Sequence, residues 1–360
     1  MPCKNKEHRS VSALLFALRP YHLRQKLGVV GTGAGRFFAV ALMAVCILVF
    51  LAVNPVPAIK PFRIGTGGTT GVYYPIGKLI AAGLTASAAR DSSALAGYIG
   101  VAQNSAGSVE NVRTVVSGEL EAGLVQADTA GLAYNGQGEF AGLPKAADLR
   151  AIAALYPEKF QLVIRKDAGI SSIGDLRGKR ISVDELGSGT RGVTNIVLNA
   201  YGLSEKDLVP LYIKPSFTEE RMMNGQMDGF AFVGGIPNAA VTKLFDIGVN
   251  LLPVDLPIAT AINEKHPFLV PGKISGNIYP GIPETPTLEV RALLVVSRNM
   301  AEAVAYAVTE ALFSEATRKL LTGGHPLGKD ITVEAAQQGL SIPLHPGALR
   351  FYREHSGESR

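Results

Sequence analysis

From residue 61 onward the chain repeats one unit: a short apolar strand, a loop of small or polar residues, then a helix. Strands that alternate with helices can pair in parallel only through such crossovers, so the pattern specifies mainly parallel sheets with ligands outside the strand C-termini. The opening unit shows the logic. Residues 61–64 form an apolar run, residues 65–71 are all Gly or Thr, and Val72, Ile76, Leu79, Ile80 and Leu84 then recur at helical spacing. Pro75 falls in the first turn of that helix, where its missing N–H costs little. A glycine loop before a helix lets backbone approach a guest closely and aims unpaired N–H groups at it, which suits an anion or a carboxyl group.

The repeat is broken in two places. Between residues 149 and 164, two apolar runs flank Tyr156-Pro-Glu-Lys159 with no room for a helix, and residues 290–297 form a further uninterrupted strand after a Pro/Gly-rich stretch. Both read as strands passing from one lobe to another. The fold class is therefore α/β, with two lobes joined by crossing hinge strands and a cleft between them. The domain reading is 1–58 as a basic N-terminus plus signal peptide or anchor, 59–156 with 289–360 as lobe I, and 157–288 as lobe II.

Charge is unevenly placed along the 360 residues. Before residue 37 there are seven basic residues against one acidic, whereas the remainder carries 28 basic and 29 acidic residues. The high isoelectric point thus belongs to the N-terminus, a nucleic-acid reading of the body loses its main support, and no nucleic-acid partner is expected. Residues 37–53 contain no charge and are followed by Val56-Pro57-Ala58, small residues placed as at an export cleavage site. An uncleaved membrane anchor formed by residues 37–53 is the alternative; in either case residues from about 59 onward lie outside the inner membrane, in the periplasm. Both cysteines, Cys3 and Cys46, precede Ala58, so the body has no disulfide.

Motifs for chemistry fail on inspection. Gly65-Thr-Gly67 lacks the third glycine of a dinucleotide fingerprint at residue 70, Gly77-Lys78 is followed by Leu79 rather than Ser or Thr, and Gly187-Ser-Gly-Thr190 is not a nucleophile elbow. No two histidines stand at metal-ligand spacing. No cofactor, metal or catalytic residue is expected. Asp184-Glu185 adjoins a glycine loop but reads as a solvated turn, since consecutive acids on a strand end point to opposite faces.

What accumulates instead is a set of neutral hydrogen-bonding groups where helices begin: Thr69, Asn104, Ser105, Gln126, Asp128, Ser188, Thr190 and Asn238. Each can be a helix cap, Asp128 for one, or a ligand contact. Tyr73, Tyr74, Tyr156 and Phe232 supply aromatic surface for a cavity wall or for the core. Arg191 is the arginine best placed to meet a carboxylate, or else a surface residue.

Several stretches together resemble the extracytoplasmic solute receptors of TRAP transporters, in the TAXI family. They are Gly65-Thr-Gly-Gly-Thr-Thr-Gly-Val-Tyr-Tyr-Pro-Ile-Gly77, Leu155-Tyr-Pro-Glu158, Asp175-Leu-Arg-Gly-Lys-Arg180, Gly187-Ser-Gly-Thr190 and Leu344-His-Pro-Gly-Ala-Leu-Arg-Phe-Tyr-Arg-Glu354. The resemblance implies a type II periplasmic binding protein-like fold closing on a small organic anion of the glutamate, glutamine or dicarboxylate class. It implies delivery of that anion to a TRAP-type membrane permease. By position, ligand contacts would come from Gly68, Thr69 and Tyr73, from Gln126 and Asp128, and from Ser188, Gly189 and Thr190, with Phe232 and Pro237 completing a wall. The chain departs from the family where Asp184-Glu185-Leu186 stands in place of a more usual Gly/Pro pair. Two rivals remain open at this level: a membrane-anchored receptor that passes ligand occupancy to a signalling partner, and an enzyme on the same bilobal scaffold.

Overall fold

The structure, a computed structural model, describes residues 59–89, 93–142 and 144–355. The basic segment, the apolar run 37–53 and the proposed cleavage site lie outside the described residues. Among the described residues no helix is long and apolar enough to cross a membrane.

In chain order the elements are β1 (Lys60–Gly65), α1 (Tyr73–Ala88), β2 (Tyr98–Gln103), α2 (Ser108–Ser117), β3 (Ala122–Gln126), α3 (Ala127–Tyr134) and β4 (Leu149–Arg165). Then come β5 (Arg180–Ser182), α4 (Gly189–Ala200), β6 (Val209–Leu211), α5 (Thr218–Met223), β7 (Gly229–Gly234), α6 (Ala239–Thr242), β8 (Val249–Leu251), α7 (Leu256–Lys265) and β9 (Val270–Ile274). The chain ends with β10 (Thr285–Ser297), α8 (Glu302–Phe313), α9 (Glu315–Gly324) and α10 (Pro346–His355).

The strand order is β2-β1-β3-β10-β4-β7-β5-β6, with β8 beside β4 and β9 beside β10. At one end β1 pairs in parallel with β2 and β3; at the other β5 pairs in parallel with β6 and β7. Between these parallel triplets run β4 and β10, antiparallel to each other and to their outer neighbours. The stretch without room for a helix is thus one strand of 17 residues, about 55 Å long, that serves both lobes. It pairs with β10 from Leu149↔Ser297 to Lys159↔Glu289, and its last part pairs with β7, from Lys159↔Gly234 to Ile164↔Gly229. A register shift in β10 at Arg291/Leu293 lies where the two lobes meet, and a second at Leu294/Val295 lies within the first lobe.

Nearly every residue of β4 is buried, as a strand covered on both faces must be. One face carries α1, α8 and α10, whose Ile76, Ile80, Val308 and Phe351 pack on Ile64, Leu124, Ile152 and Leu294. Tyr352 fixes α10 to the crossing by donating its hydroxyl to the Ile152 carbonyl at 2.9 Å. On the other face α2, α3 and α4 meet β3, β4 and β10 through Val112, Ala130, Val197, Leu162 and Leu293. A separate cluster around Phe230, Val241 and Tyr279 fills the outer part of the second lobe.

α8 stops at Phe313, and Ser314 starts α9 by accepting from the Thr317 amide. One helix boundary differs from the sequence reading. Asp128 is not the cap of α3. Gln126 occupies that position and Asp128 sits inside the first turn, where its charge still suits the positive helix end.

Candidate functional site

The glycine loop after β1 is held from below. Thr66 donates its hydroxyl to the Gln103 carbonyl at 2.7 Å, while its own carbonyl accepts from Ser105 Oγ at 2.9 Å and Asn111 Nδ2 at 2.7 Å. Glycine is required at the loop's two ends by space. A Cβ on Gly65 would lie 2.5 Å from the Asn111 side chain, and one on Gly77 would lie 2.5 Å from Thr66 Cγ2. Between them the backbone of Gly67 and Gly68 and the start of α1 border a cavity, and α1 has no side-chain cap there. Its first amides are left to face solvent or a guest.

This cavity lies where the C-terminal ends of strands from both lobes converge. Its volume is about 640 Å³ with the open mouth counted. The first lobe contributes Tyr73, Ser108 and Gln126; the second contributes Ser188, Gly189, Thr190, Phe232 and Asn238. The lobes also touch directly. The amides of Val109 and Glu110, at the start of α2, donate to the Gly187 carbonyl of the opposite lobe at 3.0 and 3.1 Å. Gln126 and Thr129 pack on Gly189, and Lys214 Nζ reaches the Ser105 carbonyl at 3.5 Å.

Of the residues named from sequence, Gly68, Tyr73, Gln126, Ser188, Gly189, Thr190, Phe232 and Asn238 border the cavity, whereas Asn104, Ser105 and Tyr74 do not. Nor do Thr69, Asp128, Tyr156, Pro237 and Arg191. Thr69 points to solvent, and its neighbours Thr70 and Gly71 form the wall instead. Asp128 is buried behind the wall, as is Tyr156, whose hydroxyl has no hydrogen-bond partner. Pro237 is exposed, and the next residue, Asn238, lines the cavity while capping α6 through the Ala240 amide at 2.9 Å. Arg191 is engaged elsewhere, with Nε 2.8 Å from Glu205 Oε1 and its guanidinium 5.4 Å from the Tyr212 ring centre.

Sequence reasoning passed over the acids. Glu158, on the crossing strand, lines the cavity at 2% exposure and accepts from the Tyr73 hydroxyl at 2.9 Å. Burial pushes its carboxyl up to about 8; the Tyr73 hydrogen bond opposes this and the nearby Asp128 adds to it. Burial likewise pushes Asp128 up to about 7 against the pull of backbone amides. The reading of Asp184-Glu185 as a solvated turn is overturned. Asp184 is 7% exposed, lies in the left-handed region at φ 72°, and faces the cavity. Its Oδ2 accepts from Ser188 Oγ at 2.7 Å and its Oδ1 from the Glu185 amide at 2.8 Å. Burial raises its carboxyl to about 6, with those hydrogen bonds opposing. Glu185 stands 2.9 Å from Lys214 Nζ, the one cation among the described residues lining the cavity.

The arrangement can enclose a small polar molecule and offers it hydroxyls, amides and buried carboxyls. Among the described residues no group of His, Cys, Asp and Glu is placed to hold a metal ion.

Comparisons with known proteins agree with this architecture. The NMT1-like family matches residues 64–356. A protein from Bordetella bronchiseptica RB50 superposes with a TM-score of 0.50 at 17% identity, covering 82% of each chain. The periplasmic binding protein BugD gives a TM-score of 0.50 at 10% identity, covering 82% of this chain and 94% of its own. The alkanesulfonate-binding protein SsuA from Xanthomonas axonopodis pv. citri, bound to MOPS, gives 0.47 at 18% identity, covering 82% and 84%. At these identities the likeness is one of fold: two α/β lobes of the periplasmic binding protein kind.

Proposed function

The chain belongs to the NMT1-like family, and from that premise we propose that it is the extracytoplasmic solute receptor of a TRAP-type secondary transporter. It binds a small organic anion of the glutamate, glutamine or dicarboxylate class between its lobes and delivers it to the membrane permease, without transforming it. The observation that carries this reading is the closed cleft. Amides of α2 on one lobe grip the Gly187 carbonyl of the other, around a cavity lined by both. Such contacts are what a receptor makes when its lobes shut on a solute and breaks when it releases one.

Motion is centred on β4 and β10, the two strands common to both lobes, near Tyr156 and Val290. Lobe I comprises residues 59–156 and 289–360, and lobe II residues 157–288. The body works in the periplasm, released by cleavage after residue 58 or tethered by residues 37–53. The fold neighbour BugD, itself a periplasmic binding protein, supports that location.

Ligand binding stabilises the folded state by about 2.7 kcal/mol at a hundredfold excess over Kd. A thermal-shift screen of the protein against glutamate, glutamine, 2-oxoglutarate and C4 dicarboxylates reads this directly. Stabilisation by at least one of them is expected; a flat response to all of them removes the proposal.

A further inference from the structure

The cavity is poor in cations and rich in acceptors, and this bears on which solute it takes. Glu158 and Asp184 both line it, each more than nine-tenths buried. Neither has a Lys, Arg or His within ion-pairing distance among the described residues. The cavity's Lys214 is paired with Glu185. A separate observation points the same way. Gln126 lines the cavity at 3% exposure, and its Oε1 has no hydrogen-bond partner. A buried acceptor left unpaired is costly, and a donor brought by a guest recovers that cost.

Resting on the receptor reading above, we propose that the cavity selects its solute by an ammonium group bound to Glu158 and Asp184, so that the ligand is an amino acid and not a simple dicarboxylic acid. An ammonium supplies three donors and no acceptor, the complement of two carboxylates and the Gln126 carbonyl oxygen. Its charge also relieves the two carboxyls, which burial without a counter-ion holds above their ordinary range. The solute's carboxylate then faces the glycine loop and the uncapped start of α1, where Gly67, Gly68 and Tyr73 border the cavity. A dicarboxylate lacking the amine sets acceptors against acceptors and leaves these carboxylates unpaired.

The test is calorimetric titration of the protein with a panel of L-amino acids, each beside its matching 2-oxo acid, together with succinate and glutarate. At least one amino acid is expected to bind roughly 10- to 100-fold more tightly than its 2-oxo counterpart. Glu158→Gln and Asp184→Asn should each cut that preference about tenfold or more, with apo melting temperatures at or above wild type at pH 8.5, where the buried carboxyls they replace carry unpaired charge. Equal or tighter binding of the 2-oxo acid or of the dicarboxylates, strengthened or unchanged in Glu158→Gln, overturns the amine assignment while leaving the receptor reading intact. That outcome means the carboxyls act protonated, as donors to a carboxylate. Binding of no member of the panel overturns both.

Discussion

Gly189 tests whether the contact between the lobes is what holds a solute. It is the first residue of α4, and an added Cβ there would lie 2.6 Å from Gln126 Oε1 and 2.8 Å from Thr129 Oγ1, both buried side chains of the opposite lobe. Ordinary van der Waals contact begins at about 3.4 Å, so Gly189→Ala is too close by about 0.8 Å in the closed form. Within its own lobe the change is favourable, because alanine suits a helix better than glycine by up to about 1 kcal/mol. The strain therefore falls on closure alone. Overpacking of this kind costs about 1–3 kcal/mol, which lowers apparent affinity roughly 5- to 150-fold if binding requires the closed state. Calorimetric titration with the tightest solute from the panel measures the affinity, and thermal melting of the apo protein measures the fold. The expected pair of results is weaker binding with an unchanged or higher apo melting temperature. Affinity within twofold of wild type, or a melting temperature lower by several degrees, would refute the reasoning by placing the clash within one rigid body.

Two other outcomes follow from the same geometry. Asn111 is fully buried and donates Nδ2 to the carbonyls of Thr66 at 2.7 Å and Leu124 at 2.8 Å, tying the ends of β1 and β3 beneath the glycine loop; Asn111→Ala should cost about 2–4 kcal/mol in chemical denaturation, and a loss under 1 kcal/mol contradicts that role. Glu158, Asp128 and Asp184 have folded-state values raised to about 8, about 7 and about 6, so these three groups bind more protons in the native state than in the unfolded chain. Burial holds His266, His325 and His345 below their ordinary value and opposes them up to about pH 6.5, so apo stability falls as pH rises above that point, each unit of displacement corresponding to about 1.4 kcal/mol. Thermal melts from about pH 6.5 to pH 8.5 should show this decline, made shallower in Glu158→Gln; a rise with pH in the apo protein would reverse the assigned sign.

The sequence by itself determined the plan of the chain. Strand, loop and helix alternate, and the interruptions at 149–164 and 290–297 became the two crossing strands, because the spacing of apolar residues fixes local structure and leaves no helix there. It also put Gly68, Tyr73, Gln126, Ser188, Gly189, Thr190, Phe232 and Asn238 on the cavity wall, since residues at strand ends before helix starts must gather at one edge of a parallel sheet. Which wall residue faces inward was not legible. Thr69 and Thr70, or Pro237 and Asn238, are one step apart in the chain, yet only the second of each pair lines the cavity, and only the turn of the backbone decides between them.

The acids show the limit most clearly. Asp184 and Glu185 look like a solvated turn, and Glu158 follows a proline in an apolar strand, because nothing local tells a carboxyl that another lobe will cover it. Burial is a property of what packs against a residue from far along the chain, here Tyr73 on Glu158 across 85 positions. Local pattern therefore set the fold and the rim of the site. The charge inside it was decided only when two distant halves of the chain closed water out from between them.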